Sequence, residues 1–443
     1  MQRFLAALLV HPILFVTSSA LAQSPITVLP LTAENQIVLA PTTLGILVNA
    51  NDQQSIELGQ QYARIRGVPP SNIIKLKLPR VNYVARHLMV RELERLHHLP
   101  NYSRLAGFAL AFDKPYRVDS NQSITSAISQ GIATMTWKGS CNVTQQNPDA
   151  GAPPGASLHT KPAMLLFGGG GLAESVAVAE RGKSADAADP LGEVFFVKTS
   201  DVPRSGPREA SMDRAQARLG QEIAITVTKA QTLSGRSNVM GFQIGLPVLK
   251  DLDTLHFLPG AFADHLTSFG GAIGDNKTQT AITALIRAGA TASFGTVREP
   301  CNFPGKFPNP ERLLSNYLHG DSILEAYWKS IDMVTEGLLV GEPLSRPFPV
   351  ADARLDGNVV TVKANRHTKA YLENARSAAQ DMVQQAGQAA SFDFGMYDVQ
   401  RGTPRFLRDF RVSGDLKPGD LIGSFEVDDS NMSGLSLGIL PRG

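Results

Sequence analysis

The sequence holds only two cysteines, no block of lysine and arginine and, past its first residues, no apolar run longer than a strand. Each scarcity excludes something. A formal charge of +2 without a basic block argues against nucleic acid and against an anionic membrane surface as partners. The later apolar stretches, such as 163–167 and 337–340, fall far short of the ~20 residues that cross a bilayer, so no transmembrane segment is expected in the mature chain. The histidines, the pair His97-His98 included, form no HExxH or related spacing, and no structural metal is expected. The run Gly168–Gly171 lacks the lysine and the spacing of a P-loop, and no GxGxxG occurs. It reads as a flexible turn, and no cofactor is assigned.

What is present begins with an export signal. Arg3 gives a short positive start, and residues 4–16 are apolar except for His11 and Pro12. Ala20 and Ala22 then supply the small side chains that signal peptidase accepts. Residues 1–22 are expected to be removed near Ala22, leaving a mature chain in the periplasm or outside the cell. In that oxidising setting Cys141 and Cys301 most simply pair with each other. The alternative is that one of them is a reactive thiol.

At 47.6 kDa the chain exceeds a usual single domain. Residues 23–43 read as an extended leader. From Leu44 short apolar runs alternate with helical stretches: strands at 44–50, 73–78, 105–112, 163–167, 193–198, 239–245, 290–296 and 337–340. Helices fall at 53–66, 86–98, 213–233, about 278–288, 311–318 and 322–331. Asn51-Asp52 caps the first helix and Gly67-Val68-Pro69-Pro70 stops it. This rhythm predicts an α/β fold, a mainly parallel sheet with helices on both faces, over 44–348. Residues 119–162, rich in Gly, Pro, Ser and Asn, read as a loop-rich insertion. Prolines at 343–349 mark a boundary before a small α+β or β-rich C-terminal domain, 349–443, with a helix expected at 371–388. No internal repeat is visible.

Five segments in order carry a resemblance: LVNANDQQSIELGQQYARIRGVPPSNII (47–74), VKTSDVPRSGPRE (197–209), LPGAFADHLTSFGG (258–271), AGATASFGTVREPCNFPGKFPNP (288–310), and SILEAYWKSI with LLVGEPLSRPF (322–348). Over residues 44–348 the chain resembles an uncharacterised family of exported proteins found in bacteria that carry exosortase sorting systems. That family in turn is distantly similar to the gingipain and clostripain kind of cysteine peptidase, which implies a caspase-like three-layer sandwich. The resemblance implies a hydrolase acting on envelope or extracellular protein or polymer, or a binding or scaffold protein that kept the sheet without the chemistry. The peptidases' His-Gly pair and nucleophilic cysteine are missing: their cysteine position falls near 264–268, where no cysteine stands.

The candidate chemistry gathers at a few positions. Asp264, His265 and Ser268 offer carboxylate, imidazole and hydroxyl; if the stretch is helical, Asp264 and Ser268 share a face with His265 about 100° away. His265 paired with Cys301 would make a thiolate-imidazolium site, since Cys301 follows a strand where parallel sheets place ligands. Glu299 on the same loop is a candidate general base or metal ligand. Arg204, Arg208 and Arg298 are candidates to clamp a carboxylate or phosphate. Each of these residue types also has a plain structural use: turn caps, loop hydrogen bonds and ion pairs.

Overall fold

Ten strands form one sheet: β1 Leu44–Asn49, β2 Ile73–Leu76, β3 Gly107–Leu110, β4 Ala163–Leu165, β5 Glu193–Lys198, β6 Ala224–Lys229, β7 Arg236–Ile244, β8 Leu255–His265, β9 Ala292–Thr296 and β10 Gly337–Gly341. Among the described residues eight α-helices accompany them: α1 Gln53–Arg66, α2 Arg86–His97, α3 Ile124–Gln130, α4 Leu172–Ala185, α5 Val202–Leu219, α6 Thr283–Ala288, α7 Pro310–Leu318 and α8 Ile323–Lys329. The structure is a computed structural model. It describes residues 27–31, 36–134, 136–138, 141–143, 145–276, 278–356, 359–371, 393–398, 405–411, 416–426 and 436–442. Residues 1–22, the expected signal peptide, and nearly all of the expected helix 371–388 lie outside the described residues.

The strand order is β6-β5-β7-β8-β9-β10-β4-β3-β1-β2. Every neighbouring pair is parallel except β9 and β10, which run antiparallel with Phe294 opposite Leu339. The mainly parallel α/β sheet is therefore as the alternation of strands and helices predicted. Right-handed crossovers place α1 and α2 on opposite faces, because the chain steps outward from β1 to β2 and back from β2 to β3. Both faces of β5 are covered: Val194 and Phe196 join the main core, whereas Phe195 and Val197 join a second one with Phe242, Ile244 and Leu285.

The seam between β9 and β10 divides the sheet into two halves of like design. β2-β1-β3-β4 and β6-β5-β7-β8 repeat one order, and their first βα turns are built alike. Ser55 Oγ accepts the Asn49 N–H at 2.7 Å, and Ser205 Oγ accepts the Thr199 N–H at 2.9 Å. Asn51 N–H bonds to Asn49 Oδ1, and Asp201 N–H to Thr199 Oγ1. Asp52 and Asp201 then cap α1 and α5. A repeat is present in the fold although none is visible in the sequence, because the repeated feature is a polar turn assembled from different residues. Since the halves are antiparallel, their carboxyl-end crevices open at opposite edges of the sheet.

Two expectations need correction. Residues 213–233 are not one helix: α5 begins at Val202, ahead of that span, and the chain then turns into edge strand β6. β8 was not anticipated, so Asp264 and His265 close a strand and point to opposite faces, rather than sharing a helix with Ser268. Within the expected leader 23–43, Thr27–Pro30 is a strand that pairs in parallel with Ser436–Arg442.

Beyond the main sheet, Asp352–Asp356, Val359–Lys363 and Leu421–Glu426 form an antiparallel sheet. Asp393–Asp398 pairs with Arg405–Arg411 and with Ser436–Arg442. Residues 341–350, between the large sheet and these small ones, are wholly buried. Arg346 fastens this segment by donating to the Leu39 carbonyl at 2.9 and 3.1 Å. Among the described residues of 119–162, regular structure is limited to the short strand Gln122–Ser123, α3 and the hairpin Thr136–Lys138 with Cys141–Val143. Among the described residues no helix is long and apolar enough to cross a membrane.

Candidate functional site

In doubly wound sheets the crevice lies where strand order reverses, at the carboxyl ends of the strands. In the second half that point falls between β5 and β7, and it is walled by the turn after β5, the residues after β7 and the residues after β8. Gly245 sits at its bottom. A Cβ there would lie 2.3 Å from the Arg204 backbone, so only glycine lets the end of β7 approach the start of α5 so closely. Thr199 Oγ1 donates to the Gly245 carbonyl at 2.8 Å and ties the two turns together.

Asp264 faces one side of β8 and is 1% exposed. Its carboxylate accepts from Arg208 through Nη1, from Gln243 Nε2 at 2.7 Å and from Tyr327 at 3.3 Å. Arg208, 3% exposed, also donates to the Ile244 carbonyl at 2.7 Å, and its Nε has no partner. A carboxylate and a guanidinium this deep are tolerated because each neutralises the other. Asp264 thus holds α5 and α8 against β7 and β8, and Arg208 is not presented to a ligand.

His265 points to the other side and is 2% exposed. Nδ1 lies 2.7 Å from the Leu246 carbonyl and Nε2 lies 2.9 Å from the Thr280 carbonyl. Carbonyl oxygens only accept, so the neutral ring donates its single N–H to one of them and turns its bare nitrogen toward the other. Burial pushes the imidazole below its ordinary pKa, against the pull of those two carbonyls. Neither nitrogen directs a lone pair at a hydroxyl or thiol, as a general base must. The ring instead clamps the segment after β7 to the one that follows β8.

The other candidates are spread along the same edge. Ser268 is half-buried, and its carbonyl accepts from Thr296 Oγ1 at 2.9 Å. Arg204 donates to Asp201 at 2.9 Å and to Thr267 Oγ1 at 3.3 Å, while Thr267 donates to Gln279 Oε1 at 2.9 Å. Glu299 is exposed and accepts the Cys301 N–H at 3.0 Å, which makes it a turn cap. Arg298 is half-buried and contributes to the field at Glu336, so Arg204, Arg208 and Arg298 do not converge on one point. Cys301 is disulfide-bonded and no free cysteine occurs among the described residues. The side chain of Cys141 lies outside them. Sequence reasoning missed Gln243, Tyr327, Thr267 and Gln279. Their partners are 12 to 63 positions away, and no local pattern marks them.

The crevice of the first half is a cleft of about 40 Å³ between Asp52, Phe112, Asp113, Phe167 and Gly170. In the glycine run beside it, Gly168 N–H donates to Ser175 Oγ and Gly171 N–H to Glu174. Among the described residues no group of three or more His, Cys, Asp or Glu side chains is placed to hold a metal ion.

No family model matches the chain, and no curated protein matches it. A solved structure described as "Structure of Protease" overlaps 92% of this chain and 98% of its own, with 8% identity and a TM-score of 0.41. At that score the likeness decides neither fold nor chemistry.

Proposed function

We propose that the chain is an exported, non-catalytic binding or scaffold protein, of the exosortase-associated kind its motifs resemble, built on a peptidase-like sheet without peptidase chemistry. One observation carries this reading. Both ring nitrogens of His265 are engaged by backbone carbonyls and Asp264 is engaged by Arg208, so neither group is poised to activate a nucleophile. A Cys301–Cys141 disulfide belongs to the same reading, since it removes the thiolate that cysteine-peptidase chemistry requires. It would tie the 119–162 insertion to the loop after β9 and shape the crevice rather than react in it. The partner would be an envelope or extracellular polymer or protein. The test is a hydrolysis panel of casein, peptide amides, acyl esters and bacterial envelope polysaccharide, run on the mature exported protein and on His265→Gln. Turnover no higher than in buffer for both proteins is expected. Turnover by the wild type that His265→Gln abolishes at unchanged stability would overturn the proposal and restore the hydrolase.

A further inference from the structure

We propose that the cavity between the N-terminal segment and α8 is a binding site for a small zwitterion carrying one ammonium, one carboxylate and an aliphatic side chain, such as a free α-amino acid. The cavity encloses about 260 Å³ and lies at the amino ends of β3 and β4, away from either crevice. Its lining mixes an aliphatic wall with several polar and charged side chains. Leu29, Val38, Leu39, Leu105 and Leu158 supply the wall.

The charges that line it are balanced: Lys161 and Arg346 against Asp321 and Glu325. Three are already committed in part. Asp321 accepts from Gly155 N–H at 2.8 Å and from Lys329 at 2.7 Å. Arg346 donates to the Leu39 carbonyl and to Glu325. Glu325 receives Ser322 N–H, Ser322 Oγ and Arg346 all on Oε2, which leaves Oε1 for an incoming donor. Burial would raise the Glu325 pKa, but Arg346 and Lys329 outweigh it and keep the carboxylate charged.

Lys161 sits opposite in character. Its ammonium donates to the Leu105 carbonyl and lies 5.1 Å from the Tyr102 ring centroid, so two of its three N–H groups remain for a ligand. A simple anion would meet Lys161 but be opposed by Glu325. A simple amine would meet Glu325 but be opposed by Lys161. Only a ligand with both charges satisfies both without adding net charge to a half-buried site.

The test is calorimetric titration of the mature protein with L-leucine, isoamylamine and N-acetyl-L-leucine, which carry both charges, the ammonium alone and the carboxylate alone. Saturable binding of leucine is expected, with the two single-charge analogues weaker by about tenfold or more. Lys161→Met should weaken leucine about tenfold and strengthen isoamylamine, whose ammonium that lysine opposes. Ala156→Phe, at a half-exposed lining position, should abolish binding by filling the cavity while the unfolding midpoint stays at the wild-type value. Absence of saturable heat up to roughly 10 mM leucine, an affinity too weak to be specific, overturns the proposal. So does leucine binding that both variants leave intact.

Discussion

Asp264→Asn should damage the fold before it damages anything else. The perturbation removes one charge from a pair whose side chains are 3% and 1% exposed, leaving the Arg208 guanidinium where water cannot reach it. Arg208 keeps its bond to the Ile244 carbonyl, but its Nε already lacks a partner, so nothing nearby can absorb the charge. Breaking one side of a buried ion pair costs about 3–5 kcal/mol. The amide can still accept from Gln243 or Tyr327, which places the loss near the lower end, about 3 kcal/mol. Against a total stability of about 5–15 kcal/mol, that is a large fraction. Arg208→Met should cost a similar amount, and the double variant should fall short of the sum by at least about 1.5 kcal/mol, because the second change removes the charge the first left stranded. Urea unfolding read by tryptophan fluorescence measures all three, with the slope unchanged and only the midpoint moved. Single variants that unfold at the wild-type midpoint would refute the reasoning and return Asp264 to the candidate catalytic groups.

The remaining expectations follow from other contacts. If Cys141 and Cys301 pair, the closed loop of about 160 residues stabilises by up to about 5 kcal/mol; each serine variant should lose similarly and the double variant little more, and iodoacetamide should add no mass to unreduced protein. Burial holds the folded pKa of His265 below its ordinary 6.5, so the stability owed to the neutral ring is complete above that pH and is lost as pH falls through the lower folded value; His265→Gln should show a shallower fall in unfolding midpoint between pH 7 and 5. Burial would raise Asp189, but hydrogen bonds from His367 and Arg366 outweigh it and depress its pKa; the attachment of Arg366 and His367 should weaken as pH drops below the ordinary carboxylate range, and Asp189→Asn should speed amide exchange in Val359–Lys363 while β7 is unaffected. N-terminal sequencing of exported protein should begin at Gln23, and an intact Met1 on membrane-held protein would contradict the signal-peptide reading.

How far the sequence could be read depended on where local signals and tertiary needs agreed. In the first half they agree: Asp52 caps α1, Gly67 ends it with φ 68°, and apolar strands of ordinary length stand on either side. In the second half they diverge. Pro203, Gly206 and Pro207 hide the start of α5, and Pro259 and Gly260 interrupt the pattern of β8, whose end is His-Asp-rich rather than apolar. Missing β8 mattered most, because strand geometry sends Asp264 and His265 to opposite faces, and their adjacency in sequence had suggested a shared site. Arg208 was legible as an anion-binding side chain. That its anion is Asp264, 56 positions away, is a tertiary fact no local pattern carries. The pairing of Thr27–Pro30 with Ser436–Arg442 is equally remote, joining the two ends of the described chain.

The central claim is that the acidic, basic and thiol groups along the second crevice fasten the fold and activate nothing. Intact-mass analysis of the mature, unreduced protein after incubation with a fluorophosphonate and with an epoxysuccinyl peptide addresses it most directly, since these reagents modify only activated serines and thiolates. The account predicts no added mass from either reagent. A stoichiometric adduct on Ser268 or Cys301 that disappears in His265→Gln would contradict it.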